Sequence, residues 1–428
     1  MAKNQHVSVC EEAEFAAAEN LHPQLLQQGC EVLPLKKIAV FLYYMECGGV
    51  EAAIADLLHC VDPKKYTVDL YLLEIRGEFL KRLPPFVQVK PLPLSPVERE
   101  MVTGLSIRET IKKGLSSGKW METLRIAARY TFYKLTGEPM PAYRAALGKE
   151  KRIECDIALD FHGYLSLTTY FAAWNTRAEK RYSWVHCEIF ANRIAANRSH
   201  LTQYNHIFCV SRLCADLTLQ ALPDMVDRIS VMHNLINIDR VREMAQTGKR
   251  LPSECSLSLL TVGRLSNQKG YDLALMTAQL LKESGIDFCW YFCGDGERRE
   301  DLVEMIASLG LEKEIIMLGF QQNPYSLMKS CDIYVQPSRY EGYAVTVVEA
   351  SALGCVVVTT NVSGAREEIT DGINGFVTEI SPCAIAEAIL CLMKDPELLH
   401  KMRNRELKNH NVNEKSLALL KEILEGTA

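Results

Sequence analysis

Between Gln336 and Ala350 two glutamates, Glu341 and Glu349, stand with seven residues between them and one glycine, Gly342, after the first. The apolar run Asp332-Ile333-Tyr334-Val335 precedes this stretch and reads as a strand; the residues from Ala344 onward read as a helix over 344–353. Strand, turn and helix in that order put the motif at the carboxyl edge of a parallel sheet, where open α/β sheets bind ligands. Gly342 permits the tight turn, and the helix start at Tyr343, Ala344, Val345 and Thr346 offers backbone N–H groups and a positive dipole end to an anion. A carboxylate accepts paired hydrogen bonds from vicinal hydroxyls. Glu341 at the turn and Glu349 inside the helix therefore suit a sugar and a ribose joined through phosphates.

A second cluster adds positive charge. Gly263-Arg264 and Lys269-Gly270 bracket a loop directly after the strand Ser258–Val262, so two cations lie at the same sheet edge. Cations held there stabilise the charge that builds on a departing diphosphate. His186 ends the strand 180–185, and His162, followed by Gly163, ends the strand before it. Both face a cleft in a doubly wound sheet. His233, in Val231-Met232-His233-Asn234, reads as a structural residue of a linker.

The elements that must position these groups form two series. Strands are expected at 38–44, 67–73, 156–161, 181–186 and 206–210, then again at 258–262, 287–293, 314–318, 331–336 and 355–360. Their continuous apolar runs fit parallel strands covered on both faces. Helices are expected at 50–60, at 212–221 after the N-cap Ser211, and at 271–283, 297–309, 323–330 and 344–353. Two βαβ series separated by a polar stretch predict two Rossmann-like domains, in keeping with 428 residues, which exceed one core. The division reads 1–35 as an N-terminal extension, 36–235 as the first domain, 236–256 as a linker, 257–405 as the second domain and 406–428 as a C-terminal helix.

The net charge of −5 leaves no global positive field for nucleic acid. One segment departs from it: residues 106–152 hold eleven Lys and Arg against four Glu, with Trp120, Tyr130, Phe132, Tyr133 and Tyr143 interleaved. Such a segment is either a solvated helical face or a patch for an anionic bilayer. The fifteen cysteines include no CxxC pair, so zinc spacing and a disulfide framework are not expected, and the thiols read as small buried hydrophobes in a reducing cytosol. Residues 1–35 lack the charge and apolar pattern of a signal peptide, and no run of 18 apolar residues occurs. The expectation is a soluble cytoplasmic protein, peripheral at the membrane face if the patch binds lipid.

The motifs taken together carry a resemblance. Gly263-Arg264 with Lys269-Gly270, Cys293-Gly294-Asp295-Gly296-Glu297, Leu318-Gly319-Phe320, and Glu341 with its spacing to Glu349 resemble the retaining GT-B glycosyltransferases of family four, the group 1 type. Ser363-Gly364-Ala365-Arg366-Glu367 is similar to that family's Gly-Gly-x-x-Glu stretch, with Ser363 in place of the first glycine. The first half matches through Gly48-Gly49-Val50-Glu51 and Val210-Ser211, and the resemblance covers residues 36–405.

The resemblance implies an α/β GT-B fold, two Rossmann-like doubly wound domains facing across a cleft, with the C-terminal helix packed back on the first domain. It implies a nucleotide-diphosphate sugar donor, a UDP-sugar before a GDP-sugar, held by the second domain. A glycan or lipid-linked acceptor would lie on the first domain, in cell-surface polysaccharide or glycoconjugate synthesis. Arg264 and Lys269 would hold the diphosphate together with the backbone of residues 343–346 and Gly48-Gly49. Glu349 would take the ribose hydroxyls, Glu341 the hydroxyls of the transferred sugar, and the base would lie near Gly294 to Gly296 and Gly319-Phe320. His186 would sit near the donor sugar, with His162 and Gly163 toward the acceptor. No cofactor or metal is expected, and no protein nucleophile: the acceptor hydroxyl would attack the face the diphosphate leaves and pass its proton to a donor phosphate oxygen. An epimerase, a phosphorylase or a non-catalytic assembly partner could share this architecture. A dinucleotide-dependent oxidoreductase is excluded, because Gly294-x-Gly296 is followed by Arg299 where the fingerprint needs a third small residue.

Overall fold

The computed structural model describes residues 34–427 except residues 47, 104–105, 137–139, 164–165, 188–190, 253–254 and 405–412. The expected extension over residues 1–35 falls outside the described residues but for its last two. The compact unit considered below is Lys36–Ala428.

Two parallel sheets organise it. In the first, β1 (Lys36–Leu42), β2 (Tyr66–Leu72), β3 (Val87–Pro91), β4 (Ile153–Asp160), β5 (Thr176–Val185), β6 (His206–Cys209) and β7 (Ile229–Val231) lie in the order β3-β2-β1-β4-β5-β6-β7. In the second, β8 (Leu257–Val262), β9 (Phe288–Cys293), β10 (Ile315–Gly319), β11 (Ile333–Gln336), β12 (Val356–Thr360) and β13 (Gly375–Thr378) lie in the order β10-β9-β8-β11-β12-β13. Residues Ile38 to Leu42 of β1 are wholly buried, as a central strand covered on both faces requires. Each strand order reverses once, between β1 and β4 and between β8 and β11. Those two points are the crevices where doubly wound sheets bind ligands.

Three strands were not anticipated: β3, β7 and β13. All three are edge strands, and their burial is broken (β3 has no fully buried residue), so they lack the apolar run that marks a central strand. The basic segment forms three helices, Ile107–Ser116, Trp120–Leu135 and Pro141–Leu147. Ser106 and Glu109 close a capping box at the first of them. The expected linker contains a packed helix, Ile238–Met244, capped by Asn237 and set against the helices Tyr325–Ser330 and Val345–Ala352.

One core fills the first sheet and continues across to the facing side of the second, where it includes Leu260, Val262, Tyr334 and Val357. A second core covers the far side of the second sheet beneath the helices Tyr271–Glu283, Arg299–Leu309 and Pro382–Lys394. The thiols of Cys187, Cys209, Cys214, Cys293, Cys331 and Cys355 are buried in these layers. Cys255 and Cys289 differ from the expectation, since their sulfurs are placed at bonding distance with Cα atoms 5.8 Å apart. Among the described residues no helix is long and apolar enough to cross a membrane.

The helix Glu414–Glu425 returns to the first half. Leu420, Ile423 and Leu424 are buried there, Tyr66 donates its hydroxyl to the Leu424 carbonyl at 3.2 Å, and Ser416 donates to the His233 carbonyl at 2.8 Å. Deleting the buried side chain of Ile423 should leave a cavity costing about 2–5 kcal/mol. Ile423→Ala is therefore expected to lower the midpoint of thermal unfolding, followed by circular dichroism, by several degrees. An unchanged midpoint would show that the returning helix adds nothing to the core of the first half.

Candidate functional site

The carboxyl ends of both sheets open into one cleft of ≈ 1480 Å³. The first half contributes the turn after β1, His162 after β4 and His186 after β5. The second half contributes the loops after β8, β9, β10 and β11, which carry Arg264 and Lys269, Gly294, Phe320, and Tyr340 to Thr346. Glu349 lies on the same wall.

Glu341 is buried and held from several sides. Lys269 Nζ stands 2.7 Å from its Oε1, Ser338 Oγ donates to that oxygen at 2.7 Å, and Gln268 Nε2 approaches Oε2 at 3.4 Å. Behind it, Tyr334 donates to Gln336 Oε1 at 2.7 Å and Gln336 Nε2 donates to Ser338 at 2.8 Å. The Thr346 hydroxyl donates to Gln336 Oε1 at 3.2 Å. This chain of donors fixes the carboxylate's direction. It also commits Lys269, whereas the exposed guanidinium of Arg264 makes no hydrogen bond or ion pair with another described residue. Arg339, inside the same motif, turns away and clasps Asp272 at 2.8 and 2.6 Å.

Two helix starts meet at the cleft. Val345–Ala352 has Ala344 at its cap and Gly49–His59 has Gly48, and neither start receives a side-chain cap. At the first of these the Val345 and Val347 N–H groups donate to the Tyr343 and Ala344 carbonyls at 2.8 Å each, and at the second the Glu51 carboxyl takes its own N–H. The two starts are close, since a Cβ placed on Gly49 would come 3.8 Å from Val345 Cγ2. Gly342 comes closer still to the opposite half: a Cβ there would stand 1.6 Å from the His186 carbonyl oxygen. Only glycine allows that approach. Glu51, in the first turn of Gly49–His59, is buried, and burial pushes its carboxyl up to about 7, against the pull of its own backbone N–H and of Arg264.

Glu349 is the second buried carboxyl. Tyr325 donates its hydroxyl to Oε1 at 2.8 Å, and burial raises the group to about 7, partly offset by that hydrogen bond. Arg82 and Arg240 line the cleft beside it. Both also reach Asp56, Arg82 at 3.1 Å and Arg240 at 3.6 Å. Asn234 lines the cleft too, buried, and its Oδ1 has no hydrogen-bond partner among the described residues. Sequence reasoning missed Arg82, Arg240, Asn234 and Tyr325. None belongs to a motif; the three-dimensional fold alone brings them to Glu349.

His186 and His162 are neutral at neutral pH. Burial lowers His186 to about 4, although a contact of 2.7 Å from Nε2 to the Phe161 carbonyl works the other way and assigns the proton to Nε2. Burial, aided by the neighbouring His186, lowers His162 to about 3, and its ring lies 4.7 Å from that of Tyr43. Gly163 has φ +60°, and a Cβ there would meet the Trp184 carbonyl at 1.6 Å, so packing dictates this glycine. Gly294 donates its N–H to the Gly319 carbonyl at 2.9 Å, tying the loops after β9 and β10 together, while Phe320 is exposed in the cleft.

Behind the cleft the halves are joined directly. The hydroxyls of Ser211 and Ser363 lie 2.6 Å apart, and the Arg212 N–H donates to Glu367 at 3.0 Å. His233 stacks on Tyr343 at 4.9 Å and pairs with Glu367 at 2.8 Å, and Tyr343 donates to Glu368. His233 is thus a contact between the halves. Ser363, where the family stretch has glycine, supplies the partner for Ser211. Among the described residues no group of three or more His, Cys, Asp or Glu is placed to hold a metal ion.

Residues 247–409 match the family model described as glycosyl transferases group 1. The N-acetylgalactosamine-N,N'-diacetylbacillosaminyl-diphospho-undecaprenol 4-alpha-N-acetylgalactosaminyltransferase of Campylobacter jejuni is 28% identical over 193 residues, 43% of this chain and 51% of the relative. The UDP-Gal:alpha-D-GlcNAc-diphosphoundecaprenol alpha-1,3-galactosyltransferase of Escherichia coli is 25% identical over 236 residues, 54% of this chain and 59% of the relative. The chain thus spans about half the length of these curated relatives. Among solved structures, Anabaena HepE in complex with UDP superposes with a TM-score of 0.62 at 15% identity, covering 92% of this chain and 99% of the other. WaaG, a glycosyltransferase involved in lipopolysaccharide biosynthesis, superposes with 0.55 at 14% identity, over 90% and 99%. Likeness at such identities shows the fold, which is GT-B. The second half thus matches the glycosyl transferases group 1 model over residues 247–409, and the chain as a whole has the GT-B fold.

Proposed function

We propose that this chain transfers a sugar, with retention of configuration, from a nucleoside-diphosphate donor to a lipid-linked glycan in the synthesis of a cell-surface polysaccharide or glycoconjugate. The observation that supports this reading is one cleft in which Arg264 and two helix starts without side-chain caps lie between two buried carboxyls, Glu341 and Glu349. A UDP-sugar is preferred over a GDP-sugar on this reading, in keeping with the UDP bound in Anabaena HepE. The lipid-linked acceptor accords with the undecaprenol-linked substrates in the names of the Campylobacter and Escherichia relatives.

In this reading the chain acts by positioning and by electrostatics. Arg264, Lys269 and the backbone at Gly48, Gly49 and residues 343–346 receive the diphosphate, and no metal is needed for its charge. Glu349 takes the ribose through the oxygen that Tyr325 leaves open, and the base rests by Gly294, Gly319 and Phe320. Glu341, its direction fixed by Lys269 and Ser338, holds the transferred sugar. The bond from sugar to diphosphate breaks as the acceptor oxygen bonds on the same face, and the acceptor proton goes to a donor phosphate oxygen. His186 and His162, kept neutral by burial, add no positive charge where the sugar itself becomes cationic.

Glu341→Gln is expected to lower the transfer rate about 100-fold or more while UDP affinity stays within about threefold of wild type. Activity within tenfold of wild type would remove Glu341 from the sugar site. Arg264→Ala should raise the UDP dissociation constant by about 10- to 100-fold, the loss of a charged hydrogen bond worth ~1.5–3 kcal/mol; titration calorimetry showing no change would refute the diphosphate role. Glu349 gives a pH signature. Its unfolded form ionises from 4.5 upward while the folded form keeps its proton to about 7, so this group's contribution to stability falls across that window as pH rises. Glu349→Gln should accordingly lose less thermal stability than wild type between pH 5 and 7.5, and parallel curves would contradict the buried carboxyl.

A further inference from the structure

The helices of the basic segment carry an apolar stripe that faces water. On Trp120–Leu135 the buried side is Thr123 and Ile126. The opposite side exposes Trp120 at 56%, Met121 at 69%, Leu124 at 55%, Phe132 at 62% and Leu135 at 83%. Positions 121, 124, 128, 132 and 135 recur at three- and four-residue steps, so they form one continuous face. Five large side chains left in water on one face mark an interaction surface, because scattered single exposures are the ordinary case.

The charges around the stripe select the partner. Helical geometry puts Arg125 to one side of it and Lys134 to the other. Arg108 and Lys112 stand exposed on the adjoining helix Ile107–Ser116, and none of these four pairs with an acid among the described residues. The nearby acids are turned aside: Glu122 accepts from Ser95, and Glu109 is engaged in the capping box with Ser106. An apolar stripe with a basic border fits a surface that is apolar within and anionic at its rim, which is a bilayer carrying anionic headgroups.

The surface also connects to the cleft. Trp120–Leu135 packs on Pro141–Leu147, and Arg144 of that helix lies over the Tyr133 ring at 5.0 Å. Tyr143 lies beside Tyr43, whose ring lies against His162 in the cleft wall.

We propose that Ile107–Ser116 and Trp120–Leu135 dock the protein on an anionic bilayer, the stripe entering the acyl boundary and the basic residues meeting lipid phosphates. A lipid-borne acceptor then arrives at the wall formed by His162. This docking rests on the transfer reading above and names where its acceptor comes from.

The test is co-sedimentation of the full chain with vesicles of phosphatidylcholine containing about 30% phosphatidylglycerol, against pure phosphatidylcholine. The triple variant Met121→Ser, Phe132→Ser and Leu135→Ser changes only exposed side chains. Expected are salt-sensitive binding to the anionic vesicles, at least about tenfold weaker partition for the triple variant, and unchanged UDP affinity in that variant. Arg264→Ala should bind vesicles like wild type, so a failure of donor binding and a failure of docking give different results. Equal binding to neutral vesicles, or no binding, would overturn the proposal. So would a dimer in sedimentation equilibrium that the triple variant abolishes, since the stripe would then cover a second copy of the chain.

Discussion

The separation of the two sheets is set where Gly342 meets the His186 carbonyl. No side chain can be accommodated at that point, so the turn after β11 and the end of β5 sit as near as two backbones can. Everything in the cleft follows from this distance. It brings the start of Gly49–His59 opposite the start of Val345–Ala352, and it sets Arg264 within electrostatic reach of Glu51 on the other half. A wider cleft would leave two isolated dipole ends in water, where each is worth a few tenths of a kcal/mol.

The same closeness explains how charge is handled. Burying a carboxylate is costly unless it is paired, and the cleft contains both solutions. Glu341 is paired with Lys269 and supported by Ser338, whereas Glu349 and Glu51 keep their protons to about 7 under the penalty of burial. On the proposed reading, a ligand carrying two phosphates would meet one cation already engaged, Lys269, and another, Arg264, available. Arg82 and Arg240 add positive charge near Glu349 but share Asp56 between them, which moderates the field on that side.

Much of this was legible in the sequence, and the reason is chemical. Central strands such as β1, β8 and β11 announce themselves by continuous apolar runs, and loops at their carboxyl ends then locate Arg264, Lys269, Glu341 and Glu349. The edge strands β3, β7 and β13 were silent because their burial is partial and broken, so none carries a continuous apolar run. Arg82, Arg240, Asn234 and Tyr325 were invisible for a different reason: each reaches the cleft from an element whose local pattern says only helix or connection. Lys269 shows a further limit. Its presence at the sheet edge was readable, but its engagement with Glu341 depends on where the loop after β11 folds. The charge count over 106–152 marked the segment without telling how its aromatic residues would face, and only the helix packing separates Ile126, which is buried, from Phe132, which is not.

The chain passes between its two halves twice, first through the packed connection around Ile238–Met244 and again between Arg403 and Asn413 on the way to the returning helix. A single tether would let one half swivel about a point. Two tethers define a line, and the halves are left with rotation about that line as their main relative freedom. Any opening of the cleft would then be a rotation about that line, resisted by the Ser211–Ser363 and His233–Tyr343 contacts that join the halves behind it.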